Sequence, residues 1–123
     1  MRSYIYTCNA QIQRTTGLWY SAEYSTFSIS DDVGKYRLTV AGYSGDAGNA
    51  LMTPLTGAWI ANGMMFSTPD SDNDICPCNC GGLSGWWFGK CSACHITRDD
   101  NGIWVTGAAV YDVEVSRMLV KLN

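Results

Sequence analysis

The sequence has few charged residues. Asp, Glu, Lys and Arg make up 15% of its 123 residues, against roughly one quarter in an average globular chain. The net charge is −3, so the chain lacks the basic surface that nucleic-acid binding and docking on anionic lipid require. No apolar run approaches the roughly 20 residues of a membrane-spanning helix. We therefore expect neither a nucleic-acid partner nor a membrane partner.

Proline is also scarce, with three residues against thirteen glycines. This balance indicates tight turns rather than Pro-rich disorder. Long runs of Glu, Lys and Ala are absent, which argues against a helical bundle. The length suits one domain, and an apolar content of 46% is enough for a packed core.

Alternating apolar residues predict strands at the middle and the end of the chain. Residues 27–30 and 36–40 alternate, and the segment between them, residues 31–34, has the composition of a turn. Order returns at residues 103–106, and a last strand runs over residues 113–122. Its apolar phase slips after Val115, which predicts a bulge near residues 116–117.

The rest of the chain shows little regular pattern. Residues 1–17 are polar and without periodicity, and a short helix is weakly indicated over residues 46–52. Residues 53–102 predict a long region built from loops. Such a region in a compact domain is usually functional or held by external links.

Three carboxylates at every second position form the most distinctive local motif: Asp70, Asp72 and Asp74. Their mutual repulsion is relieved by a hard cation, and closely spaced oxygen ligands in a loop suit calcium. The run begins like an EF-hand loop but has Ile75 at the sixth position and Gly81 at the twelfth. The pattern therefore predicts a different kind of calcium loop, and the alternative is a solvated acidic turn.

An even number of cysteines suits an oxidised, extracellular domain, although no apolar signal segment is visible at the N-terminus. Five of the six fall within 19 residues, which also suits a metal site. The six are Cys8, Cys76, Cys78, Cys80, Cys91 and Cys94.

The segment Cys91-Ser92-Ala93-Cys94-His95 matches the motif for c-type haem attachment. With the cysteines at positions 76, 78 and 80 it could instead bind zinc, although that spacing is crowded for zinc. Disulfides in a loop-rich region are the simplest interpretation. His95 is the only histidine, and no nucleophile–base pair is visible, so nothing in the sequence supports an enzyme.

Several segments, in order along the chain, resemble the fibrinogen C-terminal (fibrinogen-related) domain. They are residues 35–51, 62–74, 79–80, 84–91, 100–104 and 118–120. The resemblance covers residues 18–123, the C-terminal part of that domain, and leaves residues 1–17 as an N-terminal segment outside the match. The family's domain is longer, and the segment before residues 101–104 is much shortened here.

The resemblance implies an α+β fold with a small twisted antiparallel sheet and a long loop-rich region held by disulfides and calcium. It implies a secreted, extracellular recognition module, lectin-like, for acetylated or sialylated glycans or a protein ligand, as in innate immunity. It also implies a homo-oligomer or a place in a larger assembly. The alternative is a structural or self-assembling extracellular protein with no glycan binding.

The resemblance also supplies a calcium ligand set. Asp72 and Asp74 contribute side chains, and Cys76 and Cys78 contribute backbone carbonyls, with waters completing the shell. Asp70 is expected to lie outside the direct ligands or to reach the ion through water.

For the disulfides, the resemblance implies a bridge between Cys80 and Cys91, with Cys94 as the fallback partner. The remaining thiols could form two further bridges, one of which would tie the N-terminal segment at Cys8 to the calcium loop.

The ligand surface implied by the resemblance lies beside the calcium loop. It comprises Trp86, Trp87, His95, Asp100 and Trp104. Indole faces suit the apolar side of a sugar or an acetyl methyl, and the histidine and carboxylate supply directional hydrogen bonds. The alternative is that Trp86 and Trp87 are core residues that fix the loop.

Overall fold

Eight strands and no helix make up the regular structure in the part of the chain that the computed structural model describes. That part comprises residues 4–52, 60–68, 70–71, 73, 85–88, 94–95, 102–105 and 110–123. The strands are β1 (Tyr6–Arg14), β2 (Trp19–Ile29), β3 (Leu38–Gly45), β4 (Phe66–Ser67), β5 (Trp86–Trp87), β6 (Cys94–His95), β7 (Gly102–Val105) and β8 (Val110–Leu122).

Six of these strands form one antiparallel sheet in the order β3-β2-β1-β8-β7-β6. Strands β4 and β5 pair with each other in a separate two-stranded sheet. The predicted antiparallel sheet is therefore confirmed. The helix predicted over residues 46–52 is wrong, because those residues form bends and turns. None of the described ranges contains a helix long and apolar enough to cross a membrane.

Strand β1 corrects the prediction that residues 1–17 contain no regular element. It lies in the middle of the sheet, between β2 and β8. Cys8, Ala10 and Ile12 are buried in alternation, at 0–1% exposure, which is the periodicity of a strand with one face in the core. Alternation is present in the sequence, but cysteine and alanine are weaker apolar signals than valine or isoleucine.

The predicted turn between the second and third strands is confirmed, and it is longer than expected. It extends to Tyr36, so that β3 begins at Leu38. The Asp31 carboxylate accepts a hydrogen bond from the Gly34 amide at 3.1 Å. Ser30 and Arg37 close the turn through a backbone hydrogen bond of 3.0 Å.

The last strand contains the predicted bulge, but at a different position. Gln13 pairs with Val115 and Arg14 pairs with Val113, so Glu114 is the extra residue. The irregularity therefore lies between Val113 and Val115 rather than near residues 116–117. Because of it Val113 is 3% exposed and Val115 is 45% exposed.

The core lies on one face of the sheet, and the loops and the small β4–β5 sheet pack against it. Side chains from β1, β2 and β3 meet buried residues of the loops and of β5, which include Ala47, Ala50, Leu51, Ala61, Trp86, Trp87 and Phe88. The described loop residues and the β4–β5 pair thus form a layer over the sheet, and this layer carries the candidate site.

Candidate functional site

The segment that leads into the acidic motif is a hydrogen-bonded turn. Thr68 and Ser71 form a bridge with two backbone hydrogen bonds of 3.0 and 3.1 Å. Asn73 is anchored back onto β4. Its backbone amide donates to the buried Ser67 hydroxyl at 2.8 Å, and its side-chain amide donates to the Phe66 carbonyl at 2.9 Å. Asn73 is therefore fixed to β4 through both its backbone and its side chain.

Asp70 lies at the exposed tip of this turn. Its carboxylate accepts a hydrogen bond from the Thr68 hydroxyl at 2.6 Å. This bond, with one from the Asp70 backbone amide, holds the pKa of Asp70 below its ordinary value. One carboxylate of the motif is thus already engaged by the turn itself.

The end of the turn between β2 and β3 lies opposite this segment, and the two form the walls of a concavity. Lys35 and Tyr36 both have left-handed backbone conformations, with φ of 58° and 56°, which is unfavourable for residues with a side chain. Hydrogen bonds hold the strain in place. The Lys35 carbonyl accepts from the Phe66 amide at 2.9 Å, and the Tyr36 carbonyl accepts from the Trp87 indole at 2.9 Å.

A concavity of about 350 Å³ lies between these two walls. Charged, aromatic and hydroxyl groups line it, so it offers ionic, stacking and hydrogen-bonding partners together. The lining residues are Asp32, Lys35, Tyr36, Phe66, Thr68, Ser71 and Asn73.

Trp86 and Trp87, predicted ligand residues, are buried at 2% and 9% exposure. The Trp87 ring packs edge-on against Phe66 and Phe27, with centroids 5.2 and 6.1 Å apart. In this structure these indoles therefore present no face to solvent. They pack in the core, as the alternative interpretation of the sequence has it, and the Trp87 indole bonds the Tyr36 carbonyl.

Trp104 is also a core residue, at 1% exposure, and its indole donates to the Gly48 carbonyl at 3.0 Å. This contact links β7 to the loop after β3. His95 lies in strand β6, where its backbone pairs with Ile103. The sheet thus brings residues 95 and 104 to neighbouring strands, with Trp104 engaged in packing rather than exposed for a ligand.

Cys8 is a free thiol in the middle of the sheet. It is fully buried, and burial raises its pKa to about 11. The predicted bridge from Cys8 to the calcium loop is therefore wrong. Strand β1 points this side chain into the core, where it packs as a small apolar group.

The other predicted site residues lie outside the described residues. They are the calcium ligands Asp72, Asp74, Cys76 and Cys78, the disulfide partners Cys80 and Cys91, and the ligand residue Asp100. Among the residues that are described, no group of three metal-ligating side chains occurs.

Sequence reasoning missed three residues that shape the concavity: Lys35, Tyr36 and Asn73. The strained pair leaves no trace in the sequence, because lysine and tyrosine are unusual at left-handed positions. Asn73, in contrast, could have been identified from the sequence as a residue that anchors the acidic motif. A single amide between two carboxylates is suited to bond backbone groups nearby.

The fold and the site together define a class: a small antiparallel β domain that carries its candidate site on loops packed against the buried face of its sheet. The model for the C-terminal globular domain of fibrinogen beta and gamma chains matches residues 3–114. The chain belongs to this family, so the resemblance seen in the sequence is confirmed. The match includes most of residues 1–17, which the sequence analysis placed outside it.

Individual relatives agree with the family. The chain is 32% identical over 131 residues to Angiopoietin-4 of Bos taurus, across 94% of this chain and 25% of that protein. It is 36% identical over 112 residues to the human fibrinogen gamma chain, across 83% of this chain and 24% of that protein.

Among solved structures, the lamprey fibrin D-dimer complexed with the peptide ligand Gly-His-Arg-Pro-amide superimposes with a TM-score of 0.82 at 27% identity. The alignment covers 97% of this chain and 45% of that chain. The chain thus spans about a quarter of the length of the curated relatives and slightly under half of this structural neighbour.

Proposed function

We propose that this chain is an extracellular recognition domain in which a calcium ion, bound by residues 72–78, fixes a loop beside the ligand surface. The observation that carries the proposal is the double anchoring of Asn73 onto β4. It fixes the backbone between Asp72 and Asp74, the two carboxylates proposed as calcium ligands. A fixed backbone lowers the entropy that ordering the ligands would cost.

The chemistry of the proposed donor set fits calcium. The side chains of Asp72 and Asp74 and the carbonyls of Cys76 and Cys78 are all hard oxygen donors, which calcium prefers. Asp70 is proposed to remain outside this set, because the Thr68 hydroxyl already bonds its carboxylate. Calcium would supply charge neutralisation and rigidity to the loop, with no part in a reaction.

The proposed ligand is a protein segment or an acetylated or sialylated glycan. The lamprey fibrin D-dimer, which shares the fold, is complexed with a short basic peptide, and this favours a peptide here. Trp86, Trp87 and Trp104 support the loops from the core, while His95 and Asp100 are proposed to contact the ligand. The concavity beside Lys35 and Tyr36 would extend this surface.

A structural or self-assembling role is the second candidate. It is favoured by the cysteine content, because the sequence has six cysteines and the proposed bridge between Cys80 and Cys91 uses two of them. In this role the chain would form a homo-oligomer or one part of a larger secreted assembly, without glycan binding.

The test begins with a calcium titration by calorimetry on the wild type and two matched variants, Asp72→Asn and Asp70→Asn. Each substitution removes one negative charge from the acidic motif, but only Asp72 is a proposed ligand. We therefore expect Asp72→Asn to weaken calcium binding at least tenfold and Asp70→Asn to change it less than threefold. Equal effects, or no calcium binding by the wild type, would overturn the calcium proposal.

Ligand binding is then measured for the wild type and Asp100→Ala. The probes are Gly-His-Arg-Pro-amide and an N-acetylated glycan array, each with calcium and with a chelator. Calcium-dependent binding that Asp100→Ala weakens supports recognition. Failure of all probes, together with concentration-dependent oligomers in sedimentation, would favour the structural role.

Mass spectrometry without reduction tests the proposed pairing of Cys80 with Cys91.

A further inference from the structure

The face of the sheet opposite the core carries a row of polar side chains across three strands. Ser21 of β2, Gln11 of β1 and Arg117 of β8 are paired in register. Their neighbours in the chain, such as Ala10 and Ala22, point into the core at 0–1% exposure. Since side chains alternate along a strand, this row faces away from the core.

Arg117 is held in one orientation by two contacts. Its Nε donates a hydrogen bond to the Gln11 side-chain oxygen. Its guanidinium carbon lies 5.4 Å from the centroid of the Trp19 ring, in cation–π contact. Among the described residues Arg117 has no carboxylate partner, so its two terminal amino groups keep their donors for another molecule.

The opposite wall is built by the loop that follows β3. The Asp46 carboxylate accepts from the Ser21 amide at 2.7 Å, and the Asp46 amide donates to the Ser21 carbonyl at 3.0 Å. Gly45 permits this close approach, because a Cβ there would lie 2.3 Å from the Ser21 oxygen. Within the described ranges, no further residue bonds this carboxylate, so its second oxygen can accept from a ligand.

Arg117 and Asp46 line one concavity of about 320 Å³ together with Trp19, Tyr20, Ser21 and Gln11. Although their charges are opposite, they form no ion pair with each other within the described part of the chain. A cavity that keeps a donor fork and an acceptor apart is complementary to a ligand that carries both an acid and an N–H group. Trp19, 46% exposed, offers a flat apolar surface beside them.

We propose that this outer-face concavity binds the carboxylate of a peptide. The Arg117 fork would take the carboxylate in the paired geometry that guanidinium and carboxylate favour. The Asp46 oxygen would accept the neighbouring peptide N–H, and a flat side chain would pack on Trp19. The carboxylate could be a peptide's C-terminus or an acidic side chain. This site lies on the face of the sheet opposite the core, and its proposed contacts do not involve calcium.

The test uses nuclear magnetic resonance on the full 15N-labelled chain, with the side-chain N–H signals of Arg117 and Trp19 as reporters. Three probes are titrated to high millimolar concentration: N-acetyl-phenylalanine, its neutral amide, and N-acetyl-glutamic acid α-amide. A shallow single-arginine site is expected to have a Kd on the order of 1 mM, equivalent to about 4 kcal/mol. A response to the first probe alone identifies a C-terminal carboxylate, and a response to the third identifies an acidic side chain.

Variants separate this site from general charge attraction. Arg117→Gln should weaken acid binding at least tenfold, and Arg117→Lys should weaken it less because it keeps the charge without the fork. Lys121→Gln is the matched control: it removes one positive charge from the same strand and should change the Kd less than twofold. The signal of the buried Trp104 indole reports that each variant is folded.

Equal binding of the acid and its neutral amide would overturn the proposal. So would equal losses in Arg117→Gln and Lys121→Gln, because these would mean that net charge alone attracts the probe. Saturable shifts confined to Arg117, Trp19 and their neighbours, in a calcium-free buffer, would support it.

Discussion

The sheet and the loop-built layer that covers it are held together by different interactions. Strands β1, β2 and β8 contain 9, 11 and 13 residues, so each is fixed by many successive backbone hydrogen bonds. Strands β4 and β5 contain two residues each. Their layer is held by isolated backbone bonds, such as that from the Phe66 amide to the Lys35 carbonyl. Asn73, Trp87 and Trp104 add bonds from side chains to backbone carbonyls.

The two regions should therefore respond differently to the loss of one side chain. A ladder shares its stability among many equivalent bonds, so the loss of one side chain is absorbed. The described part of the loop layer has isolated backbone bonds rather than a long ladder, so each side-chain bond to a carbonyl carries a larger share of its support. Ligand-binding segments are commonly drawn from such parts of a protein, and a bound ion or a disulfide would add most where the ladder is absent.

The largest expected effect is on the indole that joins the two regions. Trp104→Ala removes a buried side chain and leaves the Gly48 carbonyl without its donor. We expect a loss of about 3–5 kcal/mol in the free energy of unfolding, as for other buried aromatic truncations. Urea denaturation measures it. The control is Trp19→Ala, on a side chain that is 46% exposed, with an expected loss of about 1 kcal/mol or less; equal losses would mean that exposure does not separate these two indoles.

Asn73→Ala is expected to act within the loop layer alone. It removes the side-chain bond to the Phe66 carbonyl while leaving the backbone bond to Ser67, at a cost of about 1–3 kcal/mol. Hydrogen exchange should speed up at residues 66–73 and stay unchanged in β1 and β2. On the proposed function, calcium affinity should fall although Asn73 is no ligand. Uniformly faster exchange across the sheet would contradict the separation of the two regions.

Much of the sheet could be predicted because alternation is a direct consequence of burying one face. It predicted the end of β2, the start of β3, the regions of β7 and β8 and the turn after β2, but not the first eight residues of β2. Strand β1 was missed because its inward residues are Cys8, Ala10 and Ile12, of which only the last is strongly apolar. The predicted bulge lay two residues from the observed one. A break in the alternation of apolar residues shows that an extra residue exists, but it does not show which residue it is.

The candidate site was less predictable, because its shape depends on contacts between distant segments. The acidic motif was visible in the sequence, and the anchoring of Asn73 onto β4 was not. The strained pair Lys35 and Tyr36 is stabilised by Phe66 and Trp87, more than 30 positions away. Aromatic content alone could not decide between binding and packing, and the structure shows Trp86, Trp87 and Trp104 in the core.

The pH dependence of stability that comes from Cys8 reports on the sheet alone, because the Cys8 thiol is buried at its centre. Burial raises the pKa of Cys8 from 9.0 to about 11, so the native state keeps the proton that the unfolded state loses near pH 9. The contribution of the protonated thiol to the free energy of unfolding is fully present below pH 9 and is lost as the pH rises from 9 through 11. Cys8→Ala should therefore show a shallower fall in stability over this range than the wild type. Parallel curves, or fast alkylation of the native thiol at pH 8, would show that the sheet opens at Cys8.

The smallest expected effect is on the strained turn, and its sign is opposite to the others. Lys35 has a φ of 58°, and glycine adopts this conformation without the clash that a Cβ causes, although it gives more freedom to the unfolded chain. We expect Lys35→Gly to raise stability by about 0.5 kcal/mol. Val33→Gly, in the same turn at 85% exposure and without a left-handed backbone, should lower it by about 0.5–1 kcal/mol. Thermal unfolding of the two variants decides the point: if both are destabilised equally, the left-handed conformation carries no strain, and the bonds from Phe66 and Trp87 are not needed to hold it.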